Sequence, residues 1–123
     1  NLSSRILLGI CFRELGEFEQ SQKILESCLK ESKTNSSTLY QTIVTYLCMS
    51  MYDTALILSK QLIVNEQWHQ GYWALHATCL RFAGKEREYN KLYDYNKLVK
   101  IFNVTKNTLN DKHIKMVKIK ARS

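Results

Sequence analysis

The chain has 123 residues, no proline and only four glycines. No stretch approaches the ~20 consecutive apolar residues of a membrane helix, so no membrane span is expected. The four cysteines, Cys11, Cys28, Cys48 and Cys79, are 17, 20 and 31 residues apart, which leaves neither a CxxC pair nor zinc-ligand spacing. Glycine-rich phosphate loops, GxSxG elbows and HExxH are absent as well. His69 and His76 lie seven residues apart with no carboxylate three or four residues further on, and His113 has Asp111 nearby but no third ligand. The expectation is a non-enzymatic chain with no catalytic residue, metal or cofactor.

Each cysteine falls within an apolar helical stripe, where a free thiol behaves as a small hydrophobe. That pattern predicts four reduced, largely buried thiols and a cytoplasmic setting. The sequons Asn35-Ser36-Ser37 and Asn103-Val104-Thr105 are then coincidental. Asn1 is not a methionine, and Asn1-Leu2-Ser3-Ser4-Arg5 already follows a helical pattern, which suggests a piece of a longer protein.

Charge is unevenly placed. Residues 1–84 hold seven Lys/Arg and seven Asp/Glu, net zero, whereas residues 85–123 hold eleven and four, net +7. A basic end of this kind reads as a solvated tail, or as a weak, nonspecific contact for polyanions such as nucleic acid. The lysines from Lys106 to Lys120 have no aromatic among them to stack on a base.

Internal repetition organises the rest. Stepping by 34 residues from Gly16 gives Ser50 and Gly84; from Phe12, Tyr46 and Leu80; from Phe18, Tyr52 and Glu86; from Ser21, Ala55 and Tyr89. Each small residue of the first set lies between two segments of helical periodicity, such as Ile6-Leu7-Ile10-Cys11 and Ile24-Leu25-Cys28-Leu29. Glycine there permits the positive φ at which a helix stops and reverses. The expected fold is all-α, three antiparallel helical hairpins.

This pattern resembles the tetratricopeptide repeat. The first hairpin carries Leu8, Gly9, Phe12, Gly16, Phe18, Ser21, Leu25 and Cys28 at the family's small and aromatic positions; the second carries Ile43, Tyr46, Tyr52, Ala55 and Leu62; the third carries Trp73, Ala77, Leu80 and Gly84. Glu86 and Tyr89 depart from the pattern, and the family's closing proline is missing. The resemblance covers residues 3 to about 98. It implies a right-handed solenoid over 1–104, followed by a basic tail or the start of another domain over 105–123. It also implies that Gly9, Ala55 and Ala77 allow close helix approach while Phe12, Phe18, Tyr46, Tyr52 and Trp73 fill the space between hairpins.

By repeat position the concave face of such a stack carries Ile6, Ile10 and Arg13, then Tyr40, Gln41, Val44 and Leu47, then Ala74, Leu75, Thr78 and Arg81. The resemblance implies a protein-interaction or domain-docking scaffold that binds a protein or peptide there. By their chemistry Arg13 and Arg81 are either anchors for a carboxylate or phosphate or ordinary arginines of a solvated face. Family members that clamp the acidic tail of heat-shock chaperones use lysine, asparagine and arginine where this chain has Ile6, Ile10, Gln41, Gly71 and Leu75, so that ligand is not expected.

The stretch LYDYNKLVKIF, residues 92–102, changes texture. Its Tyr93, Asp94, Tyr95, Asn96, Lys97, Leu98 and Val99, preceded by Trp73, Ala74, Leu75 and Gly84, resemble the segment that follows tetratricopeptide repeats in a group of bacterial 2-oxoglutarate/iron(II) oxygenases. That likeness implies a junction, with a helix to about Val99 handing the chain to a catalytic domain. The iron site of such a domain needs His-x-Asp/Glu, and here His69, His76 and His113 are followed two residues later by Gly71, Thr78 and Lys115.

Overall fold

The computed structural model describes residues 1–92 and residue 94. Their regular structure is entirely helical: α1 (Leu2–Glu14), α2 (Phe18–Glu31), α3 (Ser36–Cys48), α4 (Tyr52–Asn65), α5 (Gln70–Phe82) and a sixth segment, α6, over 86–92. None of the described helices is long and apolar enough to cross a membrane. The chain divides into two units, Asn1–Gly84 and Lys85–Ser123. The packing described below is that of the first; in the second, Tyr89 N donates to Lys85 O at 2.9 Å and Leu92 is buried.

The 34-residue step recurs in the backbone itself. Helices α1, α3 and α5 begin at residues 2, 36 and 70 and end at 14, 48 and 82. Each is followed by a left-handed residue: Gly16 at φ +80°, Ser50 at +60° and Gly84 at +75°. At the first two turns the next amide closes back over the helix end, Glu17 N donating to Phe12 O at 2.8 Å and Met51 N to Tyr46 O at 2.9 Å. This is the Schellman arrangement, which satisfies carbonyls that the helix would otherwise leave open. The helix starts repeat too. Asn1 Oδ1 accepts from Ser4 N at 2.8 Å, Asn35 Oδ1 from Thr38 N at 2.9 Å, and His69 Nδ1 from Tyr72 N at 3.2 Å.

Side-chain contacts fix the directions. Arg5, near the start of α1, pairs with Glu31 and donates to Ser27 Oγ at 2.7 Å near the end of α2, so these helices run antiparallel. Midway, Gly9 leaves room for Leu25: a Cβ on Gly9 would lie 2.7 Å from Leu25 Cγ. Ile6, Leu25 and Cys28 form a buried cluster beside it. Helix α2 is joined to α3 by Ser21 Oγ and Thr45 Oγ1 at 3.0 Å and by Tyr46 OH, which donates to Glu26 at 2.8 Å. Helix α4 meets α5 through Ser59 Oγ and His76 Nδ1 at 2.8 Å and through stacked Tyr52 and Phe82 rings, 5.2 Å apart. Helices α3 and α4 pack along their length, burying Leu39, Ile43, Ala55 and Leu62, and α1 also touches α3.

Two expectations change. Only Cys28 and Cys79 are buried; Cys11 and Cys48, though unpaired as expected, are exposed. Both lie on apolar stripes, but on sides of α1 and α3 that no described helix covers. Leu8 is likewise 47% exposed at a position where the repeat pattern places a packed leucine. The break at Gly84 does occur, since α5 stops at Phe82 and helix resumes at 86. Of the junction stretch, Tyr93 and 95–102 lie outside the described residues, as do His113 and the segment 105–123.

Candidate functional site

The residues expected on the concave face belong to α1, α3 and α5. Arg13, near the end of α1, is half-buried, and its guanidinium donates to Gln41 O at 3.0 Å, to Gln41 Oε1 at 2.7 Å and to Thr45 Oγ1 at 3.3 Å. The structure thus brings together two of the expected residues, Arg13 and Gln41. It also commits the arginine to α3 rather than leaving it as a spare anchor. On α3, Tyr40, Val44 and Leu47 follow one another at i, i+4 and i+7 and stay half-open to solvent. Tyr40 meets Tyr72 of α5, ring centroids 5.6 Å apart. Thr78 is exposed, its hydroxyl donating to Ala74 O at 3.0 Å, and Arg81 is exposed one turn further on. Ile6 and Leu75, assigned to the same face by repeat position, are buried instead, Ile6 against Leu25 and Cys28.

Tyr72 is the member of this face that repeat logic misses. Its equivalents 34 and 68 residues earlier are Thr38, which is buried, and Ser4, so no recurring aromatic marks it. The available signal was its closeness to His69, whose ring caps α5 and stacks on Tyr72 with centroids 3.6 Å apart.

Buried polar groups hold the helices that carry the face. Thr38 Oγ1 donates to Asn35 Oδ1 at 3.1 Å and Thr42 Oγ1 to Thr38 O at 2.7 Å, so these two buried hydroxyls are satisfied locally, whereas buried Thr45 donates to Gln41 O at 3.1 Å and also meets Ser21 and Arg13. Burial first, and then the bond to Glu26, hold the Tyr46 phenol well above its ordinary value. Burial also pushes the Cys79 thiol up, against the opposing hydrogen bond from Ser59. Ser59 and His76 bring a hydroxyl and an imidazole together, but both are buried in the α4–α5 junction, where the pair closes a packing seam. The Trp73 indole N–H donates to Gln67 O at 2.6 Å, tying α5 to the loop before it. Among the described residues no group of three or more His, Cys, Asp or Glu is placed to hold a metal ion.

A separate shallow groove of about 430 Å³ is lined by Glu26, Leu29, Lys30, Lys33, Tyr46 and Gln61. Compared with protein-family models, with curated proteins and with solved structures, the chain matches none of them.

Proposed function

We propose that the chain is a tetratricopeptide-like, right-handed helical-repeat scaffold that docks a protein or peptide on the face shared by α1, α3 and α5. The repeat reading is supported by the common 34-residue step of helix starts, caps and left-handed turn residues. One observation carries the docking reading: Tyr40, Val44 and Leu47 form an apolar stripe on α3 that stays half-open to solvent and is extended by the contact of Tyr72 with Tyr40. Rigid aromatics beside aliphatic residues are the material of binding hot spots. Arg81 at the far end of α5 supplies a charge for a carboxylate of the ligand. The ligand is therefore a segment with two or three apolar side chains at helical or extended spacing and one acidic group.

Selection of displayed peptides against the folded chain, followed by an NMR footprint of the best binder, tests this. Shifts should cluster at Tyr40, Val44, Leu47, Tyr72 and Arg81, and Val44→Glu should weaken binding by about tenfold or more. Binders that all footprint on the Glu26–Tyr46–Gln61 groove would overturn it.

A further inference from the structure

The outer face of α1 is built like a helix junction, yet among the described residues no helix covers it. Leu7, Leu8 and Leu15 are 61%, 47% and 76% exposed, and Cys11 between them is exposed too. One repeat on, the residues in register are Gln41, Thr42, Thr45 and Met49; two repeats on, they are Leu75, His76, Cys79 and Ala83. All eight are buried or half-buried. The second helix of the preceding hairpin reaches this row, Ser21 of α2 bonding Thr45 and Ser59 of α4 bonding His76, while Gln41 at its edge is held by Arg13 of α1. The α1 residues thus occupy the register of a packing face, and they are more apolar than the residues packed at the next repeat. Leaving contiguous leucines in water is what association relieves.

The stripe is also complementary to itself. Leu7 and Leu15 stand four residues to either side of Cys11 and Leu8 stands three before it, the spacing of a helix seam. With a two-fold axis through Cys11 and the helices antiparallel, Leu7 of each copy meets Leu15 of the other, while Leu8 sits opposite Glu14, whose exposed carboxylate stays at the edge of the stripe. An isologous contact requires this matching. Arg13, the cation between Leu7 and Leu15, is turned onto α3. Residues 1–84 carry seven positive and seven negative side chains, so this unit does not repel its copy through net charge. From these observations we infer that the α1 face is occupied by the α1 face of a second copy of the chain. Four side chains on one helix fall well short of the ~800 Å² per partner usual in stable complexes, so the dimer is weak and depends on concentration.

Sedimentation of the full chain under reducing conditions, from about 10 µM to about 1 mM, tests the inference. The average mass should climb toward that of a dimer. The double variant Leu8→Glu, Leu15→Glu should shift the midpoint at least about tenfold upward while the helical circular dichroism is unchanged, both leucines being exposed. Oxidation by copper(II)–phenanthroline supplies a second readout: two Cys11 thiols lose two protons and two electrons to the oxidant and form an intermolecular disulfide. Cross-linking should occur in the natural chain and in Cys48→Ser, and vanish in Cys11→Ser. A monomer throughout the range, which would leave the face to a helix of another polypeptide, overturns the inference. So does an association indifferent to the two glutamates, or cross-linking that runs through the equally exposed Cys48.

Discussion

Gly9 sets how closely α1 and α2 approach. Replacing it with alanine adds helix propensity of about 1 kcal/mol, but the new Cβ would sit 2.7 Å from Leu25 Cγ and 2.8 Å from Cδ2. Leu25 is fully buried, and overpacking of this kind costs about 1–3 kcal/mol. The clash wins, so Gly9→Ala should lower the urea midpoint by an amount equivalent to about 1 kcal/mol, with the slope unchanged. Tyr46 offers a different readout. Its folded phenol holds the proton more tightly than an unfolded tyrosine does, so above about pH 10 the unfolded chain sheds that proton first. Its stabilising contribution is complete below that pH and is lost as pH rises toward the folded value, by at most about 1.4 kcal/mol per pH unit. Urea titrations between about pH 9 and pH 11 should show this fall, and Tyr46→Phe should remove its share of it while costing about 1 kcal/mol at neutral pH. Gly9 was legible because a small residue at that repeat position signals close approach. The exposure of Cys11 was not. It shares a register with buried Thr45 and Cys79, and periodicity reports a stripe without saying whether a neighbour covers it.

At the scale of the element, the turns were easier to read than the starts. Gly16 and Gly84 announce a positive φ, and the 34-residue step carries the same conformation to Ser50. The caps Asn1, Asn35 and His69 keep the same step, but a histidine is an uncommon cap and the three side chains share no obvious pattern. Ser50 is the residue out of place. A non-glycine residue in the left-handed region costs about 1 kcal/mol or more, and its hydroxyl takes part only in an exposed 3.3 Å bond from Tyr52 OH. Ser50→Gly should therefore stabilise the fold by about 0.5–1 kcal/mol after the extra chain entropy of glycine is counted. Thermal melts should show Tm rising by a few degrees, on the order of 4–8 °C per kcal/mol in a domain this small. Gly84→Val, placing a β-branched residue at φ +75°, should move Tm the other way by an amount equivalent to about 1–2 kcal/mol. If Ser50→Gly lowers Tm, the left-handed turn is not the feature that sets the α3–α4 connection.

For the molecule as a whole, the repeat period and its apolar stripes made the helices and the stripe of Tyr40, Val44 and Leu47 readable before any coordinates. What they hid is lateral: that Arg13 reaches Gln41, and that Tyr72 meets Tyr40, depend on the offset between parallel neighbours, which no period along one chain encodes. Charge is the opposite case, a property of composition more than of packing. The first 84 residues are neutral on balance and the whole excess of +7 follows them. Attraction of that kind acts through released counterions, carries no base preference and is screened by salt. Duplexes of unrelated sequence should thus bind the full chain with equal, modest affinity. That affinity should fall by about three decades or more between ~50 and ~200 mM salt if most of the excess cations engage the phosphates. A titration of two such duplexes over that range separates the outcomes, since base-reading contacts add a salt-insensitive difference between sequences. A duplex that keeps a clear preference at about 200 mM would mean that side chains beyond the cationic excess read the bases, and the account of the basic end as a nonspecific contact would fail.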